Sequence, residues 1–139
     1  MPLPGNGDFA GELANLRSRT PEGFVIGYSG DWGAKDSLLA GGDTWFSVVA
    51  GLLPVPALRL TRAAASGNTQ KATQIDEAFS ALWALFKEFG SFRVMYALAN
   101  LLDGSRIEPM RPVQPLTSDV RLKVQAALDA FHESIASLE

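Results

Sequence analysis

The sequence predicts an α/β fold that is mostly helical by content. Three observations carry this. Two short apolar runs, FVIGY at 24–28 and WFSVV at 45–49, lie close to glycines and read as buried strands. The stretch between them reads as a short helix, and a strand–helix–strand unit implies a parallel pair. Everything after Pro54 reads as helix, apart from one proline-rich linker.

Taken in order, MPLPGNG at 1–7 is a Pro/Gly loop with nothing before it to connect. Asp8 is a good helix N-cap, and Phe9, Leu13 and Leu16 follow on one helical face. This first helix, over 8–19, ends before Thr20-Pro21, because proline disfavours a helical residue ahead of it. The first strand occupies 24–28. A turn follows at Ser29-Gly30-Asp31, then a short helix through Leu38-Leu39 that stops at Gly41-Gly42. The second strand occupies 45–49, and Gly51 opens the next loop. A helix begins near Pro54 or Pro56, where proline suits the first turn, and runs to Ser66. The next starts at Asn68 or Thr69, carries Ile75, Phe79, Leu82, Phe86 and Phe89 along one stripe, and ends at Gly90. Ser91 caps a further helix that places Val94, Met95, Leu98, Leu101 and Leu102 and ends at Gly104. Pro109, Pro112 and Pro115 make 106–116 an extended linker. Thr117 or Ser118 caps a last helix with Val120, Val124, Leu128, Phe131 and Ile135.

Neither strand alternates with polar residues, so both faces of the pair are expected to be covered. Two parallel strands alone would leave two open edges. The pattern therefore predicts part of a larger sheet whose other strands lie upstream, since everything downstream is helix.

Composition narrows function by exclusion. Apolar residues make up 47% of the 139 and charged residues 19%, enough for a real core and against disorder. Net charge is −3 with no basic run, a poor match to nucleic acid, whose phosphates need clustered Lys and Arg. Cysteine is absent, which excludes disulfides and thiolate zinc sites and fits a cytoplasmic protein. The longest apolar stretch, 45–60, is broken by Gly51, Pro54, Pro56 and Arg59, and is too interrupted to span a bilayer. No basic segment precedes an apolar one at the N-terminus, so no signal peptide is expected.

The run GYSGDWGAKDSLLAGGDTWFSVVAGLLP at 27–54 resembles the dihydrodipicolinate synthase / N-acetylneuraminate lyase family. So does the order that follows: ALRLTRAAASGNTQKA, LWALFKEFGSFRVMYAL, and a proline linker into LTSDVRLKVQAALDAF. The resemblance covers nearly the whole chain through several moderate signals in the right order. It implies a (β/α)8 TIM barrel with extra C-terminal helices. It also implies a class I aldolase or lyase in which a lysine forms a Schiff base with pyruvate or a related 2-keto acid. No metal or organic cofactor is implied, and family members often assemble as homo-oligomers. On this reading 24–28 is the seventh strand, 45–49 the eighth, and helix 8–19 the sixth barrel helix. Residues 1–66 form the C-terminal part of the barrel, and 67–139 the last barrel-associated and C-terminal helices. The family's lysine ends the sixth strand and would sit just before Met1. Its tyrosine proton relay and Thr-Thr carboxylate pocket would also lie upstream. No catalytic residue of this chain can be matched to them. Met1 is then expected to be a misassigned start, an artificial boundary or the start of a truncated gene product, and the chain alone is expected to be inactive.

Ligands of barrel enzymes sit at the carboxyl ends of the strands. By resemblance, the substrate-binding candidates are Ser29, Gly30, Asp31, Trp32, Phe46, Ser47 and Val48. Gly30 either lets the backbone approach substrate or only makes a tight turn. Asp31 either hydrogen-bonds the aldehyde-side substrate or caps the following helix, the simpler reading. Trp32 either walls the pocket or packs between helices. Strand alternation puts Phe46 and Val48 on one face and Ser47 on the other, without telling inward from outward. Sialate lyases place two acidic side chains just after the glycine matching Gly30, and a serine near the end of strand eight. Here those positions hold Trp32, Gly33 and Val48, so cleavage of sialic acid is not expected.

Other conspicuous residues have ordinary readings. Lys35, Lys71, Lys87 and Lys123 lie in charged helical stretches and read as solvated, whereas a Schiff-base lysine needs a desolvated pocket. His132 has no second histidine and reads as a surface residue, not a metal ligand. Asp76-Glu77 is an adjacent pair whose side chains point apart, a solvated edge and no acid/base dyad. The Phe79-to-Phe89 stripe is core or an oligomer contact. Two functional readings result: part of a 2-keto-acid lyase, or a non-catalytic helical module for interaction or oligomerisation.

Overall fold

The computed structural model describes Pro4, Gly5 and residues 7–138. Among these residues there are seven α-helices and one pair of parallel strands. α1 (Phe9–Arg17) is capped as expected, the Asp8 carboxylate accepting the Gly11 N–H at 2.9 Å. It leads to β1 (Gly27–Ser29), a 3₁₀ turn over Asp31–Gly33, α2 (Ala34–Leu39) and β2 (Thr44–Phe46). A second 3₁₀ turn, Val49–Gly51, leads into α3 (Pro54–Ala65). The helical remainder is α4 (Thr69–Ala78), α5 (Ser80–Phe89), α6 (Ser91–Asp103) and α7 (Ser118–Ala136).

The strands pair in parallel, Gly27 with Thr44, Tyr28 with Trp45 and Ser29 with Phe46. Both are shorter than expected and displaced, for identifiable reasons. Ahead of β1, side chains replace a neighbouring strand. Arg17 donates to the Phe24 carbonyl at 2.7 Å, and the Ile26 N–H donates to the Asp43 carboxylate at 2.6 Å. The ladder therefore starts at Gly27, and Phe24 and Val25 are 54% and 63% exposed. β2 stops at Phe46 because the Asp31 carboxylate accepts the Val48 and Val49 N–H groups and Val48 turns helical, φ −85° and ψ −46°. The expected cover on both faces is found on one. Tyr28 is buried and Trp45 half-buried, while Ser29 and Phe46 on the opposite face are exposed. Gly27 is required on that second face: a Cβ there would lie 2.6 Å from the Phe46 ring and collide with the Thr44 methyl.

The single helix expected over 68–89 is two. Of the two starts offered, Asn68 and Thr69, the structure has Asn68 as the cap of α4 through the Lys71 N–H, but the helix turns at Phe79, whose N–H is shared between the Ile75 and Asp76 carbonyls. The turn drives the Phe79 ring into the centre of the molecule. It stacks on Trp83 at 4.7 Å and meets Phe131 at 4.5 Å between centroids. α6 begins after Gly90, and Ser91 makes no side-chain cap bond; neither does Thr117 ahead of α7. The proline linker is tied to α6. Asn100 bonds both the N–H and the carbonyl of Ile107, and Arg93 donates to the carbonyls of Gln114 and Pro115.

One apolar core runs from Ala34 to Phe131. Leu38 and Val49 meet Leu60, Ile75, Phe79, Leu82, Phe86, Val94, Leu98, Val124 and Phe131 there. A smaller cluster, Leu13, Ile26 and Tyr28, sits between α1 and β1 with Phe9 and Leu16 against it. Among the described residues, no helix is long and apolar enough to cross a membrane.

Candidate functional site at the strand ends

The parallel register sets the carboxyl ends of β1 and β2 side by side, at Ser29 and Phe46. Gly30 then reverses the chain with φ 108° and ψ 95°, a conformation that a residue with a Cβ resists. Beyond it lies an open cavity of about 620 Å³, lined by Ser29, Gly30, Asp31, Trp32 and Val48 together with Pro4, Gly5 and Ser91.

Five of the seven residues named from the sequence thus meet in one place. Phe46 and Ser47 are not among the lining. Phe46 lies over Gly27 and is 61% exposed, and the Ser47 hydroxyl accepts the Ala50 N–H at 3.0 Å within the turn. The alternation that paired Phe46 with Val48 fails because the backbone leaves the extended conformation at that point. Pro4, Gly5 and Ser91 were missed. Nothing local marks Ser91, which read as a cap; only the tertiary fold brings the start of α6 to the strand ends.

Of the two sequence readings of Asp31, the cap on the following helix is not found. The helix after it receives no side-chain cap bond. Its carboxylate is instead 1% exposed and accepts three N–H groups: Trp45 Nε1 at 3.1 Å, Val48 at 3.0 Å and Val49 at 2.7 Å. Burial pushes its pKa above the ordinary carboxylate value, against the pull of those three donors. Trp32 is 38% exposed in the cavity wall. The wall contributed by this chain therefore offers an indole ring, an isopropyl group and two serine residues.

Two expectations about charge are corrected. Lys35 is not on a solvated face. Its Nζ lies 3.3 Å from Asp36 and 3.6 Å from Asp76, with the side chain 21% exposed. Burial pulls the ammonium pKa down, but the two carboxylates outweigh it and hold it above the ordinary lysine value. Asp76 is likewise no solvated edge: it accepts the Trp83 indole N–H at 2.9 Å, and burial raises its pKa against Trp83 and Lys35. Glu77, Lys71, Lys87 and His132 are exposed, and Lys123 lies 5.7 Å from the centroid of the Phe89 ring. Among the described residues, no group of three or more His, Cys, Asp or Glu could hold a metal ion.

The sequence matches the Dihydrodipicolinate synthetase family over residues 5–131. The chain belongs to that family. It is 31% identical over 123 residues to the 4-hydroxy-tetrahydrodipicolinate synthase of Neisseria meningitidis serogroup B, a match spanning 86% of this chain and 41% of that enzyme. A dihydrodipicolinate synthase structure from Agrobacterium tumefaciens is 61% identical and superposes with a TM-score of 0.92, over 94% of this chain and 44% of the other. The fold is therefore that of the matching part of these TIM-barrel enzymes. The chloride-inhibited dihydrodipicolinate synthase of Acinetobacter baumannii, solved with pyruvate, shares the fold at a TM-score of 0.75 and 21% identity, over 89% of this chain and 41% of that one. This chain spans less than half the length of each of these relatives.

Proposed function

We propose that this chain supplies the last two strands of a (β/α)8 barrel, with the C-terminal helices, to a Schiff-base-forming lyase acting on pyruvate or a related 2-keto acid. The observation that carries the reading is the cavity at the carboxyl ends of two parallel strands, where barrel enzymes bind substrate, in a member of this family. Residues 1–66 form the barrel portion and 67–139 its supporting helices, and the enzyme works as a homo-oligomer. Exposed Phe92, Met110 and Leu122 offer apolar surface for such assembly.

In this chemistry a neutral lysine amine adds to the keto carbon and water leaves. The protonated imine takes up the electron pair when a carbon–carbon bond breaks, and after loss of a C–H proton the enamine donates that pair to the aldehyde carbon when one forms. The amine does not come from residues 1–139. Lys35 is ion-paired with Asp36 and Asp76 and does not line the cavity, and Lys71, Lys87 and Lys123 lie on helices whose residues do not line it either. This chain builds the wall facing the second substrate. With the Asp31 carboxylate turned into the protein, that wall presents no charged side chain among the described residues. A polyol such as sialic acid finds no acidic acceptors there, whereas an aldehyde with an apolar body fits against Trp32 and Val48.

The test is turnover by a catalytically competent polypeptide that carries these residues. Pyruvate should be consumed when apolar aldehydes are added, and N-acetylneuraminate should release no pyruvate. Release at an ordinary enzymatic rate overturns the specificity, and no consumption with any aldehyde overturns the lyase reading.

A further inference from the structure

We infer that Asp31 is a positioning residue for this site: its buried carboxylate ties the turn after β1 to the exit of β2 and so fixes Val48 as a pocket wall. The inference rests on reading the strand ends as the substrate site.

The geometry is specific. A carboxylate that is 1% exposed has all its protein donors on the other strand's exit: the Trp45 indole on β2, and two successive backbone N–H groups at Val48 and Val49. Oδ1 takes Trp45 and Val48, and Oδ2 takes Val49. Burying a carboxylate is costly unless its lone pairs are satisfied, so the three bonds and the burial belong together. The two N–H groups would otherwise be unmatched donors at the start of the Val49–Gly51 turn, where the local Ser47 hydroxyl takes only the next one, that of Ala50. Gly30, in its left-handed conformation, aims the next residue inward. The outcome is that Val48 leaves the strand, turns helical, and places its side chain in the same cavity as Ser29, Gly30 and Trp32. Asp31 thus acts on substrate through Val48, without offering its own carboxylate.

Asparagine at this position keeps shape but turns an amide N–H₂ toward a backbone N–H. Two measurements on Asp31→Asn separate the tie from the lyase reading. The first is site-resolved hydrogen exchange in this chain, which needs no substrate. Val48, Val49 and the Trp45 indole should exchange about tenfold faster or more, while α5–α7 stay protected as in the parent. Unchanged exchange at Val48 and Val49 overturns the proposal even if the lyase reading stands. The second is kinetics in the competent polypeptide, where KM for the second substrate should rise about tenfold with kcat little changed. Val48→Ala, at a residue already 40% exposed, should reproduce that KM rise with exchange unaltered, and it serves if Asp31→Asn does not fold. A KM unmoved by Val48→Ala, or by Asp31→Asn when protection is lost, leaves Asp31 a fold-holding residue and overturns its positioning role.

Discussion

The helical body and the strand end of this molecule are held by different forces. In α3–α7, side chains from every helix converge on one apolar core, with Leu60, Ile75, Phe79, Leu82, Leu98 and Val124 fully buried. Each such side chain contributes roughly 1.5–3 kcal/mol on burial. At the strand end Ile26 and Tyr28 are buried, but Phe24 and Val25 ahead of β1 and Phe46 in β2 are all more than half exposed. What fixes that region is a set of polar ties. Asp43 bonds Arg17 and the Ile26 N–H, and Asp31 bonds three donors on the exit of β2. The contrast separates the scaffold from the proposed site. Close packing gives the body rigidity, and carboxylates placed at strand ends shape the wall where ligand would lie.

The sharpest way to break this contrast is to open the body. Phe79→Ala, at a ring fully buried between Trp83 and Phe131, should cost about 3–5 kcal/mol in urea unfolding. A loss below about 1 kcal/mol would show that α4–α7 do not share one core. Next in size is Asp76→Ala, which orphans the Trp83 indole N–H and leaves Lys35 one carboxylate poorer. A loss of about 1–3 kcal/mol is expected by the same measurement, and no loss would remove that tie from the account of the body.

Acidity distinguishes the two regions by sign. Asp43 has its pKa lowered, first by the Arg17 hydrogen bond and then by the Ile26 N–H. Its contribution is present above the unfolded carboxylate pKa and is lost as pH falls through the folded value. Asp76 has its pKa raised, chiefly by burial. Its contribution is full below the unfolded pKa and is lost as pH rises through the folded value. Stability difference curves for Asp43→Asn and Asp76→Asn against pH should therefore slope oppositely, below and above the ordinary carboxylate range respectively. Curves of the same sign would contradict the burial assigned to Asp76. The Arg17–Asp43 pair is more than a third exposed on both sides, so Arg17→Ala should cost no more than about 1 kcal/mol and less in high salt.

Much of the body was legible in the sequence, because helical spacing is a local signal. The stripe Ile75, Phe79, Leu82 and Phe86 named its buried face directly, Asp8 was legible as a cap, and the start of α4 was placed to within one residue. The turn at Phe79 was not legible, since no proline or glycine marks it and the ring stacking that accompanies it comes from α5 and α7. The strands read as longer than they are. Apolar runs carry no trace of Asp31 or Asp43, whose backbone N–H partners lie seventeen or eighteen residues away. For the site, the residues after Gly30 were found by family resemblance. Their convergence with Ser91 depends on the docking of α6, which no local pattern encodes.

The smallest expected effect lies at the junction of the two regions. The Tyr28 hydroxyl and Glu12 Oε2 are both buried, and burial, then the charge and the hydrogen bonding of Glu12, raise the phenol pKa. Tyr28→Phe removes one buried hydroxyl facing the Glu12 charge while keeping the Phe9 edge contact, so stability should change by less than about 1 kcal/mol. A larger loss would mean that the hydroxyl is a tie like Asp31.

Whether this chain is wall and scaffold, with the nucleophile elsewhere, is read most directly by incubating the 139-residue polypeptide with pyruvate and borohydride and measuring its intact mass. An unmodified mass is expected. A stable reduced adduct on Lys35, Lys71, Lys87 or Lys123 would contradict that division of roles.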